Sequence, residues 1–363
     1  MAVKTIGFPG RYLQGPGAIS ELGTLLKEFG STEPAVVMDD IVRQAAGTTL
    51  DTVLTASGLS ARYLRFGGEC TREAIQALAG EAASADMIIG LGGGKTIDTA
   101  KGVAKALGLR LMIVPSIASN DSPTSRLIVL YDDKHMVAGV DTMTRNPDVV
   151  LVDTEIISRA PARFFIAGLG DAISKKFEAN QCHLAGGKNF FNTPSLPTAR
   201  LLADRCYETI LEFGLQAVAQ VRNHASPNEA VERAVEAAVL LSGLGFESGG
   251  LSLSHALTRG FTAHPVLSTF LHGELVAFGT IVQLIAENRA DAEVRAHATF
   301  CRDLGLPICF ADLNLPNVSD AELTDIAEKT CAAPYIGHLR PAADVARVVD
   351  CLRRADALGA ILA

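Results

Sequence analysis

Tryptophan is absent from the 363 residues, and aromatic side chains make up only 6% of them. That absence alone excludes little. Other absences exclude more. The net charge is −8, and no basic stripe breaks it, which argues against a general nucleic-acid binder. No window approaches the roughly 20 apolar residues of a membrane span. The opening stretch MAVKTIGFPGRYLQG meets Pro9 and Gly10 before any long apolar run, so no signal peptide is expected. The seven cysteines are scattered and odd in number, with no C-x-x-C pair. Free thiols in a reducing compartment, and hence a cytoplasmic protein, are the expectation. Internal repeats, low-complexity tracts and flexible linkers are also lacking.

What is present begins with Asp86–Lys101, DMIIGLGGGKTIDTAK. Met87-Ile88-Ile89 reads as a buried strand. Gly92, Gly93 and Gly94 follow, and Lys95 onward opens a helical pattern through Ala106. Strand, glycine loop and helix N-terminus together form a cradle for phosphate. Glycine permits close backbone approach, and the first helical N–H groups favour an anion. The loop fits neither familiar phosphate pattern. Ile89 stands where the Walker A spacing needs glycine, and Lys95 stands where G-x-G-x-x-G needs its last glycine. A plain glycine-rich turn is the alternative, but a cation directly after three glycines is placed to reach a phosphate.

Strand and helix patterns alternate over the first ~160 residues. Strands are expected at Pro34–Asp39, Ala61–Phe66, Asp86–Leu91, Arg110–Pro115, Leu127–Tyr131 and Val149–Val152. Helices are expected near Ile41–Gly58, Arg72–Ala85 and Thr96–Leu107. Alternation of this kind implies a parallel sheet covered by helices. After Pro161, Ala-, Leu- and Glu-rich stretches with helical spacing dominate, as in Ala199–Phe213, Glu229–Leu244, Glu274–Glu287 and Ala342–Ala357. The reading is an α/β domain over 1–160 and a helical domain over 161–363, with a ligand cleft between them.

Three further features bear on chemistry. Asp39-Asp40 sits at the end of the Pro34–Met38 strand, where a carboxylate can bond the ribose 2′-OH of NAD and repel the 2′-phosphate of NADP; either aspartate could instead cap the following helix. The loop Pro115–Tyr131, PSIASNDSPTSRLIVLY, follows a buried strand and belongs at the carboxyl edge of the sheet, though a solvated turn would look similar. Lastly, Asp171 begins a helical run after Gly168-Leu169-Gly170, while His255 and His272 lie 84 and a further 17 residues on. Singly they read as caps or core histidines. Together they form a one-carboxylate, two-imidazole set that suits Zn²⁺ and leaves a position for substrate oxygen.

These segments resemble the glycerol dehydrogenases, zinc-dependent members of the iron-containing alcohol dehydrogenase superfamily, whose fold is similar to that of dehydroquinate synthase. The matching stretches are FGGEC (66–70), GLGGGKTIDTAK (90–101), SIASNDSPTS (116–125), NPDVVLVDTEI (146–156), APARFFIAGLGDAISKKFEA (160–179), LSGLGFESGGL (241–251) and FLHGELVAFGT (270–280). The resemblance implies a Rossmann-like parallel α/β domain followed by an all-helical one. It implies that Asp171, His255 and His272 hold the metal, zinc or else iron, with both histidines also facing substrate. It implies that NAD is held by Asp39, Gly92, Gly93, Gly94, Lys95 and Asp98, together with Ser116, Ser119, Ser125, Leu127 and Tyr131. Asp121 would orient a vicinal diol. The implied partners are a small diol or hydroxyketone and further copies in a homo-oligomer.

The sequence departs from the family pattern at Asn120, Arg126, Thr258 and Arg259. The two arginines either favour an anionic substrate, such as a hydroxycarboxylate or phosphorylated polyol, or point to solvent or an oligomer contact. A lyase like dehydroquinate synthase and a non-enzymatic metabolite binder are the readings from other classes. The full metal set counts against the binder, and the segments follow the dehydrogenases rather than the lyase.

Overall fold

The computed structural model describes residues 2–132, 135 and 137–362. Eight strands occur among them: β1 (Arg11–Gly15), β2 (Pro34–Met38), β3 (Arg62–Arg65), β4 (Met87–Gly92), β5 (Arg110–Pro115), β6 (Leu127–Tyr131), β7 (Val137–Thr142) and β8 (Val149–Asp153). Six form one sheet in the order β1-β8-β5-β4-β2-β3, and every pairing in it is parallel.

Alternate residues of the central strands enter two different cores. Val36, Met38, Ile89, Leu91, Met112, Val114 and Leu151 face Leu22, Leu26 and Leu50. Ala35, Val37, Ile88, Leu111, Ile113, Val150 and Val152 face the other way. A parallel sheet buried on both faces needs such unbroken apolar strands, which is why β2, β4 and β8 carry almost no polar residue. The second cluster continues without a break into Phe165, Leu169, Phe261, Phe278 and Phe310 of the helical region. That region therefore packs on one face of the sheet rather than hanging from its end.

Beyond Asp153 the described residues contain helices and no strand. The principal helices are Ala162–Ala172, Lys175–Leu184, Pro197–Arg222, Leu253–Thr262, His272–Ala286, Asp291–Leu304, Asp320–Cys331 and Val345–Leu362. Their ends follow ordinary capping chemistry. Pro197 opens its helix, Ser319 and Glu322 form a capping box, and Gly305 closes Asp291–Leu304 with φ 92°. Among the described residues, no single helix is long and apolar enough to cross a membrane.

Three expectations need correction, and two strands, β1 and β7, were not expected. Leu127–Tyr131 is a strand, but it pairs antiparallel with Val137–Thr142 in a separate hairpin and takes no part in the main sheet. β1 occupies a sheet edge, and its half-exposed residues gave no strong apolar pattern. The stretch read as one helix over Glu229–Leu244 is α-helical to Val235, widens to a π-helix over Glu236–Leu241, and resumes as Ser242–Gly249. Asp171 lies in the last turn of Ala162–Ala172 rather than at the start of a helical run.

Candidate active site

Because β2, β4 and β5 are adjacent and parallel, their carboxyl ends present Asp39, Gly92 and Ser116 side by side. The helix Gly94–Leu107 starts there. Its N-cap, Gly93, has no side chain with which to bond the first N–H groups of that helix. The loop is also tight. A Cβ on Gly94 would lie 2.5 Å from Asn120 Nδ2, so that position must be glycine for Asn120 to cover the loop.

The charged groups along this edge already have protein partners. Lys95 pairs with Glu69 and lies 4.5 Å from the Tyr131 ring centroid. Asp98 accepts from Ser122 Oγ at 2.6 Å, Val129 N at 3.0 Å and Lys101 Nζ at 3.0 Å. Fully buried Lys101 also donates to Leu127 O at 2.7 Å and meets Ser125 Oγ at 3.3 Å. Asp98 and Lys101 thus pin the Pro115–Tyr131 loop against the glycine-loop helix. Sequence reading missed Lys101, although its spacing from Asp98 is helical. Ser116 donates its backbone N–H to Gly92 O at 3.0 Å. Burial pushes the Tyr131 phenol well above its usual pKa and keeps it protonated.

Asp39 and Asp40 divide their work. Asp39 Oδ1 accepts from Val42 N at 2.7 Å and caps the helix Asp40–Ala56. Asp40 forms an exposed pair with Arg65 at 2.6 Å. Asp39 therefore serves as the cap while its second oxygen stays at the strand end.

The second constellation joins the sheet to the helices. Ala118 O lies 1.8 Å, and Ser119 Cα 3.2 Å, from where a Cβ on Gly168 would sit. The helix bearing Asp171 can therefore lie directly on the loop after β5. Gly273 allows a similar approach to Ala167 O at 1.8 Å, which brings the first turn of His272–Ala286 beside Asp171. His255, on Leu253–Thr262, completes the group. One ligand atom each from Asp171, His255 and His272 lies within 4.8 Å of the others. His255 Nε2 is 3.3 Å, and His272 Nε2 3.8 Å, from Asp171 Oδ1.

Two features fit this pocket to a divalent cation. The buried Asp171 Oδ2 has no hydrogen-bond partner among the described residues. Glu178, also buried, accepts from His255 Nδ1 at 2.5 Å and from the His255 and Ser252 backbone N–H groups at 3.0 and 2.9 Å. A carboxylate behind a ligating imidazole fixes the ring and strengthens its donor nitrogen.

The electrostatics agree. Burial works to depress the His255 imidazole, but the charge of Glu178 and the bonds to Asp171 and Glu178 lift its pKa to about 9. The pocket thus favours positive charge at Nε2. Burial would raise the Asp171 carboxyl, yet the Lys175 charge and the His255 bond hold it well below the usual carboxylate range. His272 shifts downward through burial, with the Asp171 charge opposing the shift and those of His255 and Lys175 adding to it. Its side chain is 44% exposed. Asp121 is raised by burial, with the Lys175 charge opposing.

Sequence reading missed Glu178 and Lys175, although both follow Asp171 at helical spacings. Asp121 does reach the pocket, meeting Lys175 Nζ at 3.2 Å and Ser242 Oγ at 3.4 Å. Arg126 does not serve it. Its guanidinium bonds Glu247 Oε1 at 3.0 Å and Phe190 O at 2.8 Å, and stacks 3.9 Å from the Phe191 centroid. Arg259 is exposed.

The chain is similar to known proteins along most of its length. Residues 9–154 match the family model described as iron-containing alcohol dehydrogenase. A glycerol dehydrogenase of Thermotoga maritima is 42% identical, covering 93% of each chain. One from Escherichia coli O6:H1 is 39% identical over 93% of this chain and 92% of its own. The crystal structure of glycerol dehydrogenase from Schizosaccharomyces pombe superposes with a TM-score of 0.95 at 31% identity, over 100% of this chain and 92% of that one.

Proposed function

The chain belongs to the iron-containing alcohol dehydrogenase family, and from that premise we propose that it oxidises glycerol or a closely related vicinal diol to the hydroxyketone, with NAD as hydride acceptor. The observation that carries this reading is the convergence of Asp171, His255 and His272 beside the sheet edge that bears the glycine loop. Asp171, His255 and His272 would hold the metal; the carboxylate–imidazole set suits zinc, and ferrous iron takes the same ligands. A divalent cation there would polarise a hydroxyl and ease the loss of its proton.

The chain's own residues supply the rest. Glu178 orients His255 so that Nε2 faces the pocket. Asp121, at the pocket wall, accepts a hydrogen bond from the neighbouring hydroxyl of the diol. Gly92, Gly93, Gly94 and the helix they open receive the pyrophosphate, and Lys95 can exchange Glu69 for it. Ser116, Ser119, Ser125, Leu127 and Tyr131 line the loop beside the nicotinamide half, and Asp98 holds that loop in place. The free oxygen of Asp39 receives the adenosine ribose and disfavours a 2′-phosphate, giving a preference for NAD over NADP.

Residues 1–160 would then act as the dinucleotide domain and 161–363 as the metal and substrate domain. A cytoplasmic homo-oligomer belongs to the same reading; the seven free cysteines support a reducing compartment.

An anionic substrate is the second reading, raised by Arg126 and Arg259. The engagement of Arg126 by Glu247 and Phe190 O weighs against it. Kinetics on glycerol, 1,2-propanediol and a 2-hydroxy acid test the choice. Faster NADH formation with either diol is expected. A hydroxy acid turned over far better than both would replace the diol reading.

A further inference from the structure

The metal pocket contains a cation of its own. Lys175 opens the helix Lys175–Leu184, one turn after Asp171, and its side chain is fully buried. Its Nζ donates to Asp171 Oδ1 at 2.5 Å, meets Asp121 Oδ2 at 3.2 Å, and meets His255 Nε2 at 3.2 Å. Asp171 Oδ1 and Asp121 Oδ2 accept two of the three ammonium protons, and His255 Nε2, within hydrogen-bond distance, accepts the third when it carries no proton of its own. Two of the acceptors are atoms assigned above to the metal. We propose that Lys175 is the pocket's resident cation when no metal is bound, and that it competes with the divalent ion for Asp171 and His255, setting the affinity of the site.

This inference rests on the metal reading above and follows from distance and charge. Asp171 Oδ1, His255 Nε2 and Lys175 Nζ form a triangle with sides of 3.3, 2.5 and 3.2 Å. An ion at a ligand distance of about 2.1 Å from the first two atoms would lie within roughly 3.6 Å of Nζ, whichever side it approached from. A unit charge and a double charge that close, in a buried pocket, repel strongly. Both cannot keep their places. The ammonium must turn away from Asp171 and His255 to admit the ion, and the contacts it gives up lower the net affinity for metal. In return, the metal-free pocket keeps its buried carboxylates, Asp121 and Asp171, neutralised. The chain can therefore fold before it is loaded.

The test compares wild type with Lys175→Met and Lys175→Gln, each freed of metal. Zinc affinity is read by competition with a chromophoric chelator, and melting temperature is read with and without zinc. No activity is needed for either readout. Both neutral variants should bind zinc at least about tenfold more tightly than wild type, since even water-like screening leaves that much repulsion at this distance. The metal-free variants should melt below metal-free wild type, and zinc should raise their melting temperature more. If Lys175→Met fails to fold, Lys175→Gln carries the comparison alone, because its amide fills similar volume and can still donate to Asp171. Zinc affinity that is the same in wild type and in the folded variants overturns the competition while leaving the metal site intact. A lack of zinc binding in wild type and variants alike would overturn the metal reading itself.

Discussion

At the sheet edge the groups proposed to face a ligand are mostly backbone; in the proposed metal pocket they are all side chains. The edge is made by strand ends and by glycines that expose a helix N-terminus, and its charged groups, Lys95, Asp98 and Asp40, are already paired within the protein. The pocket gathers Asp171, His255, His272, Asp121, Glu178 and Lys175 from several helices and one loop, mostly buried. The two regions should therefore fail differently. A side-chain change in the pocket removes a ligand outright, whereas one at the edge shifts cofactor affinity and leaves the cradle standing.

The largest expected effect comes from His255→Ala. Losing a ligand removes several kcal/mol of charge stabilisation, so kcat/KM should fall about a thousandfold or more. NAD binding, followed by fluorescence of the reduced cofactor, should stay within about twofold of wild type. A comparable loss of NAD affinity would break the separation between the two regions.

Asp121→Ala comes next. A charge-assisted bond to the second hydroxyl is worth roughly 1.5–3 kcal/mol, or about 10- to 150-fold in kcat/KM. Glycerol and 1,2-propanediol should suffer that loss, and a simple secondary alcohol much less. An equal loss on all three would mean that Asp121 acts only through Lys175.

Glu178→Gln keeps the shape behind His255 but removes the charge. Support of this kind is typically worth about 10- to 100-fold in metal affinity. Zinc affinity by chelator competition should fall by that much. Unchanged affinity would show that Glu178 only ties the Ser252 turn to its helix.

How far the two regions could be read from sequence follows from the same difference. The glycine loop is contiguous, so residues 90–101 announced the strand–loop–helix on which the proposed phosphate cradle rests, and the apolar strands around it announced a parallel sheet. The pocket is assembled across about 150 residues of chain, from Asp121 to His272, and Asp171, His255 and His272 each read alone as a cap or a core histidine. Only resemblance to known dehydrogenases joined Asp171 to His255 and His272. Lys175 and Glu178 escaped notice because a buried lysine and a buried glutamate look like surface charges in a helical pattern. Their meaning depends on tertiary neighbours that the linear chain does not show. β1 was missed for the converse reason: an edge strand buries too little to carry a strong pattern.

The smallest effect sharpens the edge side of the comparison. Asp39 caps a helix through Oδ1, so removing it mixes two losses. Asp39→Ala should cost about 1 kcal/mol of stability from the lost cap. Asp39→Asn keeps a good cap and removes the charge. Its melting temperature should match wild type, while the ratio of NAD to NADP kcat/KM falls. Wild-type turnover that favours NADP would refute the assignment directly.

The central claim is that one divalent ion, held by Asp171, His255 and His272, makes this chain an NAD-dependent diol dehydrogenase. Its most direct test is NADH formation from glycerol by the wild-type enzyme before chelation, after exhaustive chelation, and after zinc is returned. The account predicts activity that disappears on chelation and comes back with zinc. Undiminished NADH formation by the metal-free enzyme would contradict it.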